Sequence, residues 1–472
     1  MAIKRYFANA DTTITNAFKS NGIYRGVSGN MGQSDILEVF SLYDEVSTGS
    51  RELSRILIQF PIDDLENDRN NSLIPISGSV SFKLKLFNAP TNKPLATDYT
   101  LTVLPVSGAW DEGRGLDMEE YTDIDTANWL IRASSSSGTS SWSTAGGDTH
   151  ASPVYNQTFT GIENLDVDVT SLVEQWVSGS KNNNGFLIKL SSSLESDNAS
   201  YYTKQFFARG SQFFFKRPVL EAQWNSARKD HRGGFYASSS LSDNNNNTIY
   251  LYNRTRGQLR NIPTVGTGNV YVRIYDAPTG SNLVTNTVIT GGWVSTGIYT
   301  ASFALNTTSS QVFDRWFNSG LTTCYHTGAI DVIQQDAEDY DVTNNYVVSL
   351  VNPKPFYTQD ETARFRFYIR NKDWNPTIYN VATSEVETLT IESASYKLVR
   401  VSDNLKVIDY GTGSNLHTML SYDVSGNYFD LNMNLLEPDY MYQIYLTFFD
   451  SQTNSWREQK NSFKLRVEKN EP

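Results

Sequence analysis

The chain has 472 residues, with 51 acidic and 39 basic side chains and a formal net charge of −12. Such a length has room for about three domains, and the acidic balance excludes a phosphate-binding surface spread over the whole protein, though not a local basic patch. A single cysteine, Cys324, excludes an intramolecular disulfide and a cysteine-built zinc site, and the four scattered histidines, His150, His231, His326 and His417, make no His-rich centre.

Aromatic residues reach 13% against only 19% charged, a balance that fits β-rich chains. The N-terminus lacks the apolar core of a secretory signal, and no apolar run approaches the roughly 18 residues of a spanning helix. The expectation is a soluble protein made in a reducing cytosol.

Ser54–Phe60 is a short apolar run closed by Pro61, as a buried strand requires. Ser79–Phe87 alternates, with Val80, Phe82, Leu84 and Leu86 on one face and Lys83 and Lys85 on the other, which predicts one wet sheet face. Thr100–Pro105 is a further strand. Asp168–Val177 carries Leu172, Val173, Trp176 and Val177 at helical spacing behind an Asp or Thr cap, so a two-turn helix is predicted over Ser171–Val177. Asn182–Gly185 then turns into a strand at Phe186–Leu190, and Arg217–Trp224 reads as a last strand.

The polar stretch from Asn225 to Asn247 reads as a linker or long loop. Strands resume at Thr248–Tyr252, Val270–Tyr275 and Gly297–Phe303. The acidic segment Gln334–Asp341 separates them from Ala363–Ile369, Ser395–Val401, Tyr442–Phe449 and Ser462–Val467. Short strands with frequent turns predict β-sandwiches. The expected fold is all-β: an N-terminal jelly-roll-like sandwich over 1–224 and two immunoglobulin-like sandwiches over 225–345 and 346–472.

The N-terminal block resembles the DNRLRE-type β-sandwich family, found in secreted surface and carbohydrate-binding proteins. The resemblance rests on Asp11–Ile14, Ser34–Val39, the strand Ser54–Phe60 with Ile62 and Leu65, the Trp110-Asp-Glu112 element, and Asp168-Val-Thr170 with Trp176, Gly179 and Asn184–Ile188. It covers roughly 1–224 and implies a sandwich in which Arg55 is structural. The sugar-contacting side chains of that family have no match here. A second resemblance covers the whole chain. Met1–Phe7, Ala10–Asn16 and Trp110–Asp117 are similar to virion structural proteins of tailed phages, particularly cyanophage-like ones, which implies a place in a particle.

The densest carboxylate cluster lies in Asp111–Asp125. Asp111, Glu112, Asp117, Asp123 and Asp125 are candidate ligands for Ca²⁺, which takes several oxygens, and Gly113 and Gly115 permit turns that would converge them. The cluster lacks the EF-hand spacing. The competing reading is an ordered loop with Arg114 paired to a carboxylate over buried Trp110 and Trp129. Asp336–Asp341 has the same two readings, calcium or solvated connector.

Cys324 and His326 share a strand face, yet nothing orients them as a catalytic pair, and a half-buried cysteine is the expectation. His150 falls in a Ser/Thr/Gly loop and is expected to be exposed. No sequence feature sets an acid and a base across a cleft, so Asp111 and Glu112 do not read as a glycosidase pair. Trp142, in the Ser-rich stretch Ser134–Ser143, is either a contact anchor or folded back on its own domain. The aromatic run from Gln205 to Phe215 is either core and lid or a subunit interface. Arg55, Trp110, Trp129 and Trp176 are expected to be structural.

The leading expectation is a non-enzymatic virion protein present in several copies, docked on other virion proteins and binding neither nucleic acid nor membrane. The alternatives are a host-surface or glycan-binding module and a polysaccharide-degrading enzyme. No cofactor is implied beyond calcium.

Overall fold

The computed structural model describes residues 2–94, 97–119, 123, 125–136, 138–237, 247–333, 345–372 and 388–469. The fold is all-β, and among the described residues α-helix is confined to short segments. The acidic segment around Asp336–Asp341 lies outside the described residues. Two compact units divide the chain, Ala2–Asn225 and Ser226–Pro472.

The N-terminal unit is a two-sheet sandwich. A four-stranded sheet runs in the order Ile3–Phe7, Val219–Gln223, Ser81–Leu86, Leu165–Asp168. The second sheet has seven strands. Its path is Tyr201–Phe207, Ile36–Tyr43, Arg51–Gln59, Phe186–Leu190, Tyr99–Pro105, Tyr155–Phe159, and Ala10–Thr15 also pairs with Arg51–Gln59.

Ser81–Leu86 alternates as expected. Phe82, Leu84 and Leu86 enter the core, whereas Lys83 and Lys85 pair outward with Asp168 and Asp166. Ile56-Leu57-Ile58 is apolar without alternation because both faces of its strand are covered. Ile56 and Ile58 join the inter-sheet core with Phe82, Phe186 and Phe206. Leu57 joins a second core with Ile14, Leu187, Trp110, Trp129 and Trp142, formed under a layer of loops.

The predicted helix spans Thr170–Val177 and buries Leu172, Val173 and Trp176. Beside it lies a helix that the sequence reading missed, Ile62–Asn70, tied to it by Arg69 Nη1 donating to Glu174 at 2.9 Å. Only Ile62 and Leu65 of that helix are buried, too few for a period. Its usable signals were Asp63 and Asp64 in the first turn and Arg69 in the last.

The second unit holds two immunoglobulin-like sandwiches. In the first, seven strands follow one path: Phe235–Tyr236, Cys324–Ile333, Gln311–Phe317, Val270–Tyr275, Ile289–Ser295, Ile298–Phe303, Asn247–Tyr252. Ile289–Ser295 pairs first with Val270–Tyr275 and then with Ile298–Phe303. It changes partner at Gly291, where a Cβ would lie 2.4 Å from the Thr300 carbonyl oxygen, so only glycine fits the crossing. The two ends of the path are joined by Asn247. Its side chain accepts from Tyr236 N–H at 3.2 Å and donates to Tyr236 O at 2.8 Å.

In the second, Tyr346–Leu350, Thr362–Asn371, Gly426–Asn432 and Ser421–Asp423 face a sheet ordered Tyr357–Thr358, Ser455–Glu468, Met441–Asp450, Ala394–Arg400, Leu405–Ile408. Read in chain order, this is the A-B-E-D and G-F-C arrangement of an immunoglobulin fold. Tyr396 stacks on Phe429 between the sheets at 3.9 Å.

The stretch read as a linker is in part structured. Lys229 bridges in parallel to Tyr422, Arg228 N–H donates to Ser421 Oγ at 2.9 Å, and Asp230 N–H donates to Tyr422 O at 3.1 Å. His231 Nδ1 accepts from Thr248 N–H at 2.9 Å, and its Nε2 lies 2.9 Å from the Tyr422 hydroxyl. One segment is therefore shared by both sandwiches. Its polarity, which suggested a linker, is what makes these bonds.

Candidate functional site

The loop layer over the outer face of the seven-stranded sheet gathers most residues that the sequence singled out. Trp110 Nε1 donates to Asn184 O at 2.8 Å and Trp142 Nε1 to Asn128 O at 2.9 Å, so both rings are buried without an orphaned N–H. Of the two readings of Trp142, the structure takes the folded-back one: the ring is 5% exposed, packed in the second core.

Arg55 projects into the same layer. Its guanidinium grips Glu195 through two bonds of 2.9 Å, donates to Gly146 O at 2.8 Å, and lies 5.1 Å from the Trp129 ring centre. Lys189 adds a second cation to Glu195 at 2.8 Å. Trp176 lies elsewhere, in the inter-sheet core, 4.8 Å from the Phe186 ring.

Asn30, fully buried, organises the acidic loop. Its Oδ1 accepts from Gly115 N–H at 2.9 Å and Gly32 N–H at 3.3 Å, and its Nδ2 donates to Thr126 Oγ1 at 3.0 Å and Asp123 Oδ2 at 3.3 Å. That fills the donor and acceptor capacity of the amide. A Cβ on Gly113 would lie 1.9 Å from Asn30 Nδ2. The glycines thus allow the loops to close on Asn30 rather than converging carboxylates.

The five candidate calcium ligands are dispersed. Asp111 Oδ2 accepts from Ser134 N–H at 3.1 Å, Asp117 Oδ1 from Glu119 N–H at 2.8 Å, and Asp123 Oδ2 from Arg114 N–H at 2.7 Å. Asp125 is exposed, and Glu112 turns to Arg209. Burial opposes ionisation of Asp123, but bonds from Arg114, Thr126 and Asn30 hold its carboxyl below the usual range. Among the described residues no three carboxylate, histidine or cysteine groups meet where they could hold one ion.

The partner that Glu112 does find was not anticipated. Arg209 Nε donates to Glu112 Oε1 at 2.7 Å, Glu112 Oε1 also accepts from Asp11 N–H at 2.8 Å, and Asp11 Oδ2 accepts from Arg209 N–H at 2.7 Å. Asp11 is 1% exposed, and its Oδ1 has no hydrogen-bond partner. Burial, helped by the Glu112 charge and opposed by Arg209, pushes its carboxyl up to about 7. A carboxyl titrating there has the acidity of a general acid or base, but its burial leaves no surface for a substrate. The triad closes the ring of strand and loops.

Cys324 and His326 do not pair. Cys324 is exposed rather than half-buried, and its Sγ donates to the His326 backbone carbonyl at 3.3 Å. His150 is half-buried rather than exposed, and burial lowers its imidazole pKa. The aromatic run divides. Phe206 and Phe215 are buried, while Phe213 is 51% exposed and packs on Phe207 at 5.5 Å, and Phe7 meets Phe214 at 5.1 Å.

No family model and no curated protein matches the chain. Among solved structures, the Yersinia pseudotuberculosis adhesin InvE is similar at 11% identity over 49% of this chain and 57% of that one, with a TM-score of 0.15. The chain thus spans little more than half of that adhesin. A chimeric titin Z1Z2 carrying a decorin peptide matches at 11% identity over 50% of this chain and 91% of that one, with a TM-score of 0.16. The IG1+IG2 portion of DIP-gamma matches at 10% identity over 50% and 93%, with a TM-score of 0.13. Likenesses at this level carry no function to this chain. Among the described residues no helix is long and apolar enough to cross a membrane.

Proposed function

We propose that the chain is a non-enzymatic spacer and docking module and, following its resemblance to tailed-phage structural proteins, a virion component present in several copies and attached to other virion proteins. The observation that carries this reading is the shared segment Arg228–Tyr236. It pairs with Ser421–Asp423 of one sandwich and Cys324–Ile333 of the other, so the tandem is fixed by backbone bonds rather than hung on a tether.

The exposed Phe213, packed on Phe207, offers apolar surface of the kind protein contacts use. A glycan-binding groove needs exposed Trp or Tyr with polar neighbours; among the described residues no Trp is exposed, while Tyr24, Tyr202, Tyr236 and Tyr440 are, on separate strands and loops. The carboxylates that the sequence singled out lend the enzyme alternative no support: Asp111, Glu112, Asp117 and Asp123 are each engaged by protein donors, and Asp125 is exposed. The test is the particle. Antibody against the chain should decorate purified virions, and the chain should bury more than about 1,000 Å² against its neighbours in a particle map. Virions free of the chain by mass spectrometry would end the proposal.

A further inference from the structure

Lys204, on Tyr201–Phe207, lies inside the N-terminal sandwich at 1% exposure. Its Nζ sits 5.1 Å from the ring centre of Phe159 and 5.4 Å from that of Phe206. It donates to Asn88 Oδ1 at 2.7 Å, Glu163 O at 2.8 Å and Gly161 O at 3.0 Å. Among the described residues no carboxylate pairs with it. The Glu163 carboxylate is turned to Thr160 and to Gly161 N–H and acts on Lys204 only from further away. Burial brings the ammonium down to about 8 against that distant charge, so on the order of a tenth is free amine at neutral pH.

The acceptor is held in place. Asn88 N–H donates to Asn164 Oδ1 at 2.9 Å, Asn88 bridges to Phe206, and Ala89 N–H donates to Gln205 O at 2.9 Å.

We propose that Lys204 and Asn88 are a cross-linking pair that condenses, after folding, into an intramolecular isopeptide bond. The Nζ–Cγ bond forms and the Cγ–Nδ2 bond of Asn88 breaks. Nδ2 leaves as ammonia and takes up the proton that the Lys204 ammonium gave up on becoming the nucleophile, so ammonium is the only by-product and no oxidant is needed. The fold holds the two groups side by side, Nζ 2.7 Å from Asn88 Oδ1. With Gly161 O and Glu163 O each holding one N–H of the neutral amine, the lone pair is left facing Asn88. The amide carbon is one carbonyl bond from Oδ1, so a rotation of the carboxamide about its Cβ–Cγ bond is needed to turn Cγ toward the lone pair. The product also removes a cation from an aromatic interior where it is poorly solvated. Asn88 follows Ser81–Leu86 in one sheet and Lys204 belongs to the other, so the bond would tie the two sheets together in a chain whose single cysteine cannot.

The test is the intact mass of the purified full chain, denatured and reduced after prolonged incubation at mildly alkaline pH. The expected result is a mass short of the sequence by one ammonia and, after proteolysis, one branched species joining the Asn88 and Lys204 peptides. Asn88→Ala and Lys204→Arg should each restore the full mass; the wild-type measurement stands even where a variant fails to fold. A full sequence mass, with Lys204 open to an acetylating reagent once unfolded, overturns the proposal. So does an ammonia loss that leaves the two peptides separate, which is a succinimide at Asn88.

Discussion

Replacing Asp11 by Asn removes one charge from the Asp11–Glu112–Arg209 triad and keeps an acceptor for Arg209 N–H. In the fold Asp11 titrates at about 7, against 3.8 without the fold around it. A carboxyl raised in the folded state holds its proton there after the unfolded chain has lost it. Its contribution to stability is therefore complete below about pH 4 and is lost as the pH rises through 7. At about 1.4 kcal/mol per pH unit, the gap sets an upper bound of about 4 kcal/mol. Relaxation and water entry around a buried ion reduce such penalties, so about 2 kcal/mol is expected.

The assay is urea unfolding read by hydrogen exchange on peptides covering Ala10–Thr15 and Arg51–Gln59, which isolates the N-terminal unit. Asp11→Asn should gain on wild type steadily as the pH rises from about 4 to 8, by about 2 kcal/mol in all and by about 1 kcal/mol between pH 5 and pH 8. The difference between the two curves matters, because Glu38 and Asp166 of the same unit, whose carboxyls burial also raises, tilt both in the same direction. A difference that does not change with pH would show that Asp11 is ionised throughout and would refute the reasoning.

Trp176→Ala should cost about 3–5 kcal/mol in chemical denaturation, as for other buried aromatics. Glu195→Ala leaves Arg55 and Lys189 without their shared carboxylate and should cost about 3 kcal/mol, read as a lower urea midpoint for the same unit. Gly113→Ala forces its new Cβ into Asn30, and faster proteolysis within the acidic loop is the expected readout. Tyr422→Phe removes the hydroxyl facing His231 and should cost about 1 kcal/mol, measured as exchange of the Thr248 amide.

Where burial follows a period, the sequence was legible. Phe82, Leu84 and Leu86 alternate because one face of their strand is wet, and Leu172, Val173 and Trp176 repeat at helical spacing because one stripe of their helix is buried. The unbroken run around Leu57 announced a strand covered on both faces but not by what. The cover comes from loops whose residues show no period, and Trp142 is hidden there under a Ser-rich composition that reads as exposed. Asp11, Glu112 and Arg209 are joined by bonds spanning 101 and 198 residues of chain, and no local pattern encodes such a meeting. Asn30 looks like any turn asparagine until the two glycines closing on it are seen. The Arg228–Tyr236 segment was misread for a related reason: side chains that satisfy backbone groups between two sandwiches are as polar as those of a solvated tether.

Each immunoglobulin-like sandwich carries near its start a short strand running parallel to its last, Phe235–Tyr236 beside Cys324–Ile333 and, after the antiparallel Tyr346–Leu350, Tyr357–Thr358 beside Ser455–Glu468. Tension along the chain enters such a sandwich near the first strand and leaves near the last. Parallel partners pulled at those ends slide past one another, so the bonds between them are strained together. Antiparallel partners joined by a hairpin would instead peel apart one bond at a time. Both sandwiches therefore carry a shear clamp against a force that pulls along the chain.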